Sequence, residues 1–367
     1  MDKEFKFPIV AFGSNTNLDD FNRYATAKEY PAGCLKFVGP VKAPDHKLAF
    51  TKYSENRGGG ALDLLHSVGH VTTVALFKAN KTGLEILRRK EGVPLHYVEK
   101  EITVLDENGG EIQALTYVVA PNKRESFVRP SEEYLKVCRE GFQQLGINTE
   151  ELEAAAEDKP IERLPAVYTY GTLMRGEPRF EAIAKFGLNC ALTAFCFGTL
   201  STNGLYPALN LEGKGFSRGD YFVSNDITKL LSVTDQIEGF KGFGSKENLF
   251  RRTCVPVDVG GMGQRFAWVY VKDDEFETKL LKNDWRAFLG TRQSFSEALL
   301  DAHEVDTANF YEKLTSNYAR FSNIEILKRE EVISLLNDEM SLTERTMAQV
   351  SNNWLALTNQ TKEKQYA

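Results

Sequence analysis

Residues 7–15 read Phe-Pro-Ile-Val-Ala-Phe-Gly-Ser-Asn, a short apolar run that ends at a glycine-containing turn. Such a run predicts a buried β-strand followed directly by a turn. A second copy of the pattern begins at residue 166, where the chain reads Ala-Val-Tyr-Thr-Tyr-Gly-Thr-Leu. The repetition predicts two related domains, each opened by the same strand and turn.

The features that follow each turn repeat in the same order. A segment with helical spacing of apolar residues runs into Glu91-Gly92 in the first half and into Glu238-Gly239 in the second. An alternating β-hairpin that turns at a glycine pair comes next. The predicted hairpin strands are 98–105 with 112–119, and 251–259 with 266–271. Chance would rarely preserve this order, so the halves are interpreted as one domain type used twice.

The length of 367 residues is too great for one compact core and suits two domains with an appendage. An acidic stretch from Thr149 to Pro160 follows an amphipathic helix predicted from Ser131 to Gln144 and is typical of a linker. The predicted domains are therefore residues 1–159 and 160–273. A helical pattern over residues 274–367 predicts a C-terminal extension, whose apolar positions would suit a homodimer contact.

Charge and cysteine usage argue against several classes of function. The net charge is −6, so no cationic field favours nucleic acid as a partner. No apolar run approaches the roughly 20 residues that cross a bilayer, and the polar first residues do not resemble a signal peptide, so we expect no membrane association and a cytoplasmic location. The five cysteines are widely spread and never form a Cys-x-x-Cys pair, so we predict no metal site.

The two glutamates and the two turns are the candidates for chemistry. A strand that ends in small residues exposes successive backbone N–H groups, and such a turn binds an anion without a cationic side chain. A glutamate flanked by apolar residues loses hydration, which raises its pKa from about 4.3 towards neutrality and suits it to move a proton. One such glutamate is more often a solvated surface residue. Two at matching positions, each downstream of such a turn, favour catalysis.

These motifs resemble those of a known family. The first half is similar to γ-glutamylcyclotransferase from Ile9 to about Gly146, and the second half resembles the γ-glutamylamine cyclotransferase and AIG2-like branch from Val167 to Val271. The first resemblance rests on Ala11-Phe12-Gly13-Ser14-Asn15, Glu91-Gly92-Val93, Tyr97, Tyr117 and the segment 130–134. The second rests on Tyr170-Gly171-Thr172-Leu173, Tyr206-Pro207, Glu238-Gly239, Phe250-Arg251-Arg252 and the segment 267–270.

The sequence departs from the family pattern in two places. Phe12 stands where the family has a tyrosine, which removes one hydroxyl from the first site. A longer, glycine-rich stretch, Lys241 to Asn248, follows Glu238 and precedes Phe250, where the family usually has a tyrosine.

The resemblance implies an α+β fold, with a small mixed β-barrel and flanking helices in each half. It also implies an enzyme that needs no cofactor and releases 5-oxoproline from a small γ-glutamyl amine, amino acid or peptide, with one or both domains active. Glu91 is then the first candidate for the catalytic acid and base, and Glu238 the second. The implied substrate-binding residues are Phe12, Gly13, Ser14, Asn15 and Tyr134 in the first half, and Tyr170, Gly171, Thr172 and Leu173 in the second. Tyr97 and Tyr117 are expected to shape the first pocket.

Two alternatives remain open from the sequence. One or both pockets could bind a γ-glutamyl or other anionic ligand without turnover, while the tail contacts a protein partner. Alternatively, only the first domain catalyses and the second is a structural or regulatory remnant.

Overall fold

The computed structural model describes residues 4–260, 262–280 and 282–290. They form two compact units that divide between Arg163 and Leu164. This division lies close to Pro160. The prediction that Thr149 to Pro160 is a linker is wrong over Glu150–Ala156, which form a helix whose Leu152, Ala155 and Ala156 are buried in the first core.

The first unit combines five strands with four helices. The strands are β1 (Phe7–Ala11), β2 (Leu35–Ser54), β3 (Gly59–Ala79), β4 (Tyr97–Leu105) and β5 (Glu111–Val119). The helices are α1 (Leu18–Ala27), α2 (Lys81–Glu91), α3 (Glu132–Gln144) and α4 (Glu150–Ala156), with short 3-10 turns at Ser14–Thr16, Glu55–Arg57 and Pro121–Lys123.

The five strands close into a mixed barrel in the order β1-β3-β2-β4-β5. Strand β1 runs antiparallel to β3 and parallel to β5, with Ile9 opposite Leu115. Its residues Ile9, Val10 and Ala11 are all buried, because the strand is covered on both faces. The long β2–β3 hairpin changes register at three places, and such bulges bend strands of this length around a barrel.

The second unit repeats this plan with additional short elements. Its strands are β6 (Ala166–Thr169), β7 (Gly187–Phe197), β8 (Thr199–Thr202), β9 (Pro207–Asn210), β10 (Phe216–Ser224), β11 (Arg251–Val259), β12 (Gly263–Val271) and β13 (Thr278–Lys279). Its helices are α5 (Glu181–Ala184), α6 (Ile227–Ile237) and α7 (Trp285–Gly290).

Five of these strands form the second closed barrel, in the order β10-β6-β12-β11-β7. Strand β6 takes the place that β1 has in the first unit: it is antiparallel to β10 and parallel to β12, with Val167 opposite Trp268. Strands β13, β8 and β9 form a separate three-stranded sheet. The prediction of two mixed β-barrels with flanking helices is confirmed.

The described part of the predicted C-terminal extension packs on the second barrel. The prediction of a helical extension is wrong at Thr278–Lys279, which form the short strand β13 paired with β8, whereas Trp285–Gly290 form the helix α7. Leu280 and Trp285 belong to the second hydrophobic core. Arg286 forms an ion pair with the buried Asp220 of β10 at 2.7 Å. The helices predicted beyond residue 290, and the homodimer contact they would offer, lie outside the described residues.

Among the residues that the structure describes, no helix is both long enough and apolar enough to cross a bilayer.

Candidate active sites

Glu91 is the last residue of α2, and the two ends of that helix fix its position. Asn80 caps the first turn by accepting a hydrogen bond from the Gly83 N–H. Gly92 ends the helix with a φ of 63°, a left-handed conformation that costs glycine little. The buried face of α2, with Ile86 and Leu87, then holds the carboxylate at the edge of the first barrel.

The turn after β1 meets this carboxylate directly. The residues after Gly13 form the 3-10 turn Ser14–Thr16, which turns the chain back over the barrel end. The side-chain amide of Asn15 donates a hydrogen bond from Nδ2 to Glu91 Oε1 at 2.7 Å. The structure therefore brings together Gly13, Ser14, Asn15 and Glu91, which are widely separated in the sequence.

Sequence reasoning missed Lys90, which completes this contact. Its ammonium donates to Asn15 Oδ1 at 2.7 Å and to Ser14 Oγ at 3.1 Å, and lies 3.4 Å from Asp20 Oδ2. Burial lowers the pKa of Lys90, while Glu91 and Asp20 act in the opposite direction. A lysine beside a helical glutamate ordinarily indicates a solvated helix end, so only the fold reveals that this ammonium organises the turn.

The substrate-contact residues predicted around this site lie at different depths. Tyr134 is buried, its hydroxyl accepts a hydrogen bond from the Leu62 N–H at 3.4 Å, and a Cβ atom placed on Gly13 would lie 3.3 Å from that hydroxyl. Phe12 belongs to the hydrophobic core of the first barrel. Burial, and next the charge of Glu91, raise the pKa of Tyr97, which places this side chain near the glutamate.

In the second unit Glu238 directly follows α6. Asp226 caps the helix by accepting a hydrogen bond from the Lys229 N–H, and Gly239 takes a φ of 65° after the glutamate. The chain leaves the site after Gly239 and returns to it at Leu249. There the Leu249 N–H donates to the Gly239 carbonyl at 3.2 Å, and the Phe250 N–H donates to the Glu238 carbonyl at 3.1 Å. The glycine-rich stretch 241–248 is thereby closed off as a loop at the base of Glu238.

Glu238 and the turn after β6 line one cavity of about 100 Å³. Tyr170, Gly171, Thr172 and Leu173 also line this cavity, so the structure brings the four predicted binding residues to the same cavity as the predicted glutamate. Gly171 packs so tightly that a Cβ atom would lie 2.5 Å from Pro207 Cγ, which leaves room only for glycine. The remaining lining is mostly aromatic and aliphatic: Tyr168, Tyr206, Pro207, Ile237, Leu249, Phe250 and Tyr270.

This apolar lining changes the acidity of the glutamate. Burial raises the pKa of Glu238 from 4.5 to about 7, against the smaller opposing effect of the Arg179 charge. A carboxyl group with a pKa near 7 is divided between its acid and base forms at neutral pH. It can therefore accept one proton and donate another in a single reaction.

Two hydrogen bonds hold two of the tyrosines that line the second cavity in position. The Tyr170 hydroxyl donates to the Tyr270 carbonyl at 2.6 Å, and the Tyr270 hydroxyl donates to Asp235 Oδ1 at 2.7 Å. Because Asp235 lies on α6 just before Glu238, this chain of contacts ties the helix end to the barrel wall. The Tyr170 ring is available to a ligand, whereas its hydroxyl is engaged in the fold.

A buried arginine holds the loop after Glu238 in place. The guanidinium of Arg252 lies 4.9 Å from the ring centres of Phe240 and Trp268, and 5.2 Å from that of Phe243. It also lies 3.4 Å from Asp235. Phe243 is the loop residue in this set, so the stretch that departs from the family pattern is fixed to the barrel.

The two sites share a backbone plan but differ in polarity at matching positions. The first site has Asn15 and Lys90 beside its glutamate, whereas the second has Leu173 and Ile237 at the corresponding places. Glu91 therefore accepts an amide hydrogen bond next to an ammonium group. At these two positions, the second site has aliphatic side chains, which can offer Glu238 neither an amide hydrogen bond nor a charge.

In the described ranges, no group of three or more histidine, cysteine, aspartate or glutamate side chains is arranged to hold a metal ion.

The fold and the paired sites define a class of two-barrel proteins, each barrel with a glutamate at a helix end facing a strand-to-turn junction. Residues 167–287 match the family model described as gamma-glutamyl cyclotransferase, AIG2-like, and residues 71–153 match the AIG2-like family model. The chain thus carries two domains of the γ-glutamylcyclotransferase and AIG2-like family in tandem.

The chain is also similar to several named proteins. The chain is 29% identical to gamma-L-glutamyl-butirosin B gamma-glutamyl cyclotransferase of Niallia circulans over 34% of its own length and 78% of that protein. It is 34% identical to gamma-glutamylcyclotransferase of Bos taurus over 31% of its length, and spans 62% of the bovine protein. A solved structure titled gamma-glutamyl cyclotransferase matches with 27% identity and a TM-score of 0.35, covering 43% of this chain and 88% of that one.

Proposed function

We propose that this protein is a γ-glutamyl cyclotransferase that releases 5-oxoproline and a free amine from a γ-glutamyl amine, amino acid or small peptide. In this reaction the α-amine of the γ-glutamyl group forms a bond to its own γ-carbonyl carbon. The bond between that carbon and the attached nitrogen then breaks. One proton leaves the α-amine and one reaches the departing nitrogen, so the reaction needs no oxidant, reductant or second substrate.

The observation that carries the proposal is the position of Glu238. It shares one small cavity with the turn after β6, and its pKa is raised to about 7. This combination suits proton transfer at neutral pH beside backbone groups that bind a carboxylate or an oxyanion. The contact between Asn15 and Glu91 repeats the arrangement in the first domain.

The roles of the residues follow from what the reaction requires. The N–H groups of the turns, around Gly13 and Gly171, hold the substrate carboxylate or the developing oxyanion. Glu91 or Glu238 takes the α-amine proton and returns one to the departing nitrogen. Because the attack is intramolecular, correct orientation alone removes a barrier contribution that reaches about 7–11 kcal/mol in well-oriented cases. The protein then needs to supply only orientation and proton transfer.

Both domains are proposed to turn over, and the raised pKa and defined cavity make Glu238 the better-supported base. Apolar neighbours activate Glu238, whereas Asn15 and Lys90 hold Glu91 in place. The difference suggests that the two sites have different pH dependences and accept different amines. A cytoplasmic location remains a prediction.

The test measures 5-oxoproline released from a panel of γ-glutamyl amines, amino acids and peptides. Wild type is compared with Glu91→Gln, with Glu238→Gln and with the double variant, and the exposed Glu212→Gln serves as a matched control. We expect each single change to remove part of the panel activity and the double change to remove all of it. An equally silent wild type across a broad panel would refute the enzyme and leave the ligand-binding alternative. Full activity in Glu238→Gln would leave the second domain as a remnant.

A further inference from the structure

Only two of the side chains that line the second cavity carry a charge. One is Glu238, which is assigned to proton transfer, and the other is Arg179. The rest of the lining is uncharged, mostly aromatic and aliphatic with two threonines, so Arg179 is a component that the catalytic roles do not account for.

Arg179 is an exposed residue of the cavity lining, and its backbone is attached to the binding turn. Its backbone N–H donates to the Thr172 carbonyl at 2.9 Å, which attaches it to the binding turn. The residue is exposed and lines the same cavity as Glu238. Within the part of the chain that the structure describes, its guanidinium has no ion-pair partner, so its donors are available to a ligand.

The cavity therefore offers two places for an anion, the backbone turn at Gly171 to Leu173 and the guanidinium of Arg179. A γ-glutamyl group brings one carboxylate, which stays next to the α-amine and hence near Glu238. In the proposed reaction, the departing amine would extend from the γ-carbonyl away from Glu238 and towards the exposed part of the lining. There it meets Arg179, together with the apolar side chain of Leu249, which is 49% exposed.

We propose that Arg179 selects substrates whose departing amine carries an anionic group on an apolar body, as in the γ-glutamyl conjugate of an apolar amino acid. The inference rests on the proposed cyclotransferase function and names the substrate class of the second site. Guanidinium and carboxylate groups pair through charge-assisted hydrogen bonds, which give both strength and orientation.

The test compares γ-glutamyl-leucine with γ-glutamyl-isopentylamide, which lacks only the carboxylate of the leucine part. Glu91→Gln in the full-length chain confines turnover to the second domain. In that background we expect kcat/KM to favour the leucine conjugate about five- to tenfold, and the preference to fall with added salt. Arg179→Gln should bring the ratio close to one. Both substrates meet the same glutamate, so a change in its protonation cancels in the ratio.

Lys214→Gln removes an exposed positive charge outside the cavity lining and should leave the preference unchanged. An equal loss on both compounds in Arg179→Gln would show that the guanidinium serves the shared γ-glutamyl half, which overturns the inference. An unchanged ratio would also overturn it.

Binding separates this inference from the proposed function. If neither compound yields 5-oxoproline, the proposed function fails, and calorimetric titration of the same pair then decides the role of Arg179. A preference for the leucine conjugate that disappears in Arg179→Gln supports the anion site. Equal affinities before and after the change refute it.

Discussion

Replacing Glu238 with glutamine is expected to make the second domain more stable at pH 8, with little effect at acidic pH. Glutamine has the shape of the protonated acid and never acquires a charge. In the wild type, folding opposes ionisation of this carboxyl group, because its apolar surroundings replace water. The variant removes the free-energy cost of ionising this side chain in the folded state without altering the size of the side chain.

The magnitude follows from the two pKa values. Below about pH 4.5 the wild-type carboxyl is protonated in both the folded and the unfolded chain, so wild type and variant have similar stability. As the pH rises from 4.5 to about 7, the unfolded chain loses this proton first, and the stability of the wild type falls. The interval corresponds to about 3 kcal/mol at about 1.4 kcal/mol per pH unit. Because the cavity around Glu238 is open to solvent, the difference in stability is smaller than this limit. We therefore expect the variant to be about 1–3 kcal/mol more stable than wild type above pH 7.

Tryptophan fluorescence provides a selective assay for the second domain. The protein has three tryptophans, Trp268, Trp285 and Trp354, and all of them come after residue 163 in the sequence. The first two are buried. Urea unfolding followed by fluorescence at several pH values between 5 and 8 therefore reports the free energy of unfolding of this domain. Glu91→Gln is the control, because residues 1–163 contain no tryptophan.

A gap between wild type and Glu238→Gln that stays constant from pH 5 to 8 would refute this reasoning. It would mean that the carboxylate is hydrated in the folded protein, and the catalytic assignment would lose its main physical support.

Three further predictions concern the sites themselves. In a Glu91→Gln background, kcat/KM should rise with pH around a midpoint near 7, because the base form of Glu238 accepts the substrate proton. Gly171→Ala should destabilise the second domain by about 1–3 kcal/mol in urea unfolding and abolish its turnover, because the added methyl group would lie 2.5 Å from Pro207. Lys90→Met, in a Glu238→Gln background, should lower 5-oxoproline release at least tenfold and the free energy of unfolding by about 1–3 kcal/mol, because the turn after β1 loses its buried ammonium donor.

For each of these three predictions, a specific result would contradict the reasoning. A midpoint near pH 4.5 would place Glu238 in water, and Gly171→Ala with normal stability would show that Pro207 can move aside. For Lys90→Met, circular dichroism should follow the unfolding, because the first domain lacks tryptophan. Unchanged turnover in that variant would show that Ser14 and Asn15 keep their positions without the ammonium.

The fold was largely predictable from local patterns. The alternation in residues 98–119 and 251–271 gave the hairpins that form one side of each barrel, and the repeated order of elements gave the tandem plan. Local residue patterns could not predict that the strands close into barrels, because closure depends on the parallel pairing of β1 and β6 with strands distant in the sequence. The resemblance to the family supplied that part.

The site was predictable in its residues but not in its electrostatics. The two glutamates and the two turns were chosen from their spacing, and the structure places each pair in proximity. Lys90 and Arg179 gave no signal, because a cation near a helix end or a turn is ordinary in a sequence. Their roles depend on which groups the folded chain places beside them.

The sequence by itself determined the element types, their repetition and the identity of the two glutamates, because periodicity, glycine positions and apolar runs are local properties of the chain. Only the tertiary structure decided the environment of each glutamate. Asn15 and Lys90 bind and organise the first, whereas Leu173 and Ile237 leave the second without such partners. The pKa of a carboxyl group depends on solvent and charges within a few ångströms, and residues far apart in the chain supply that surrounding.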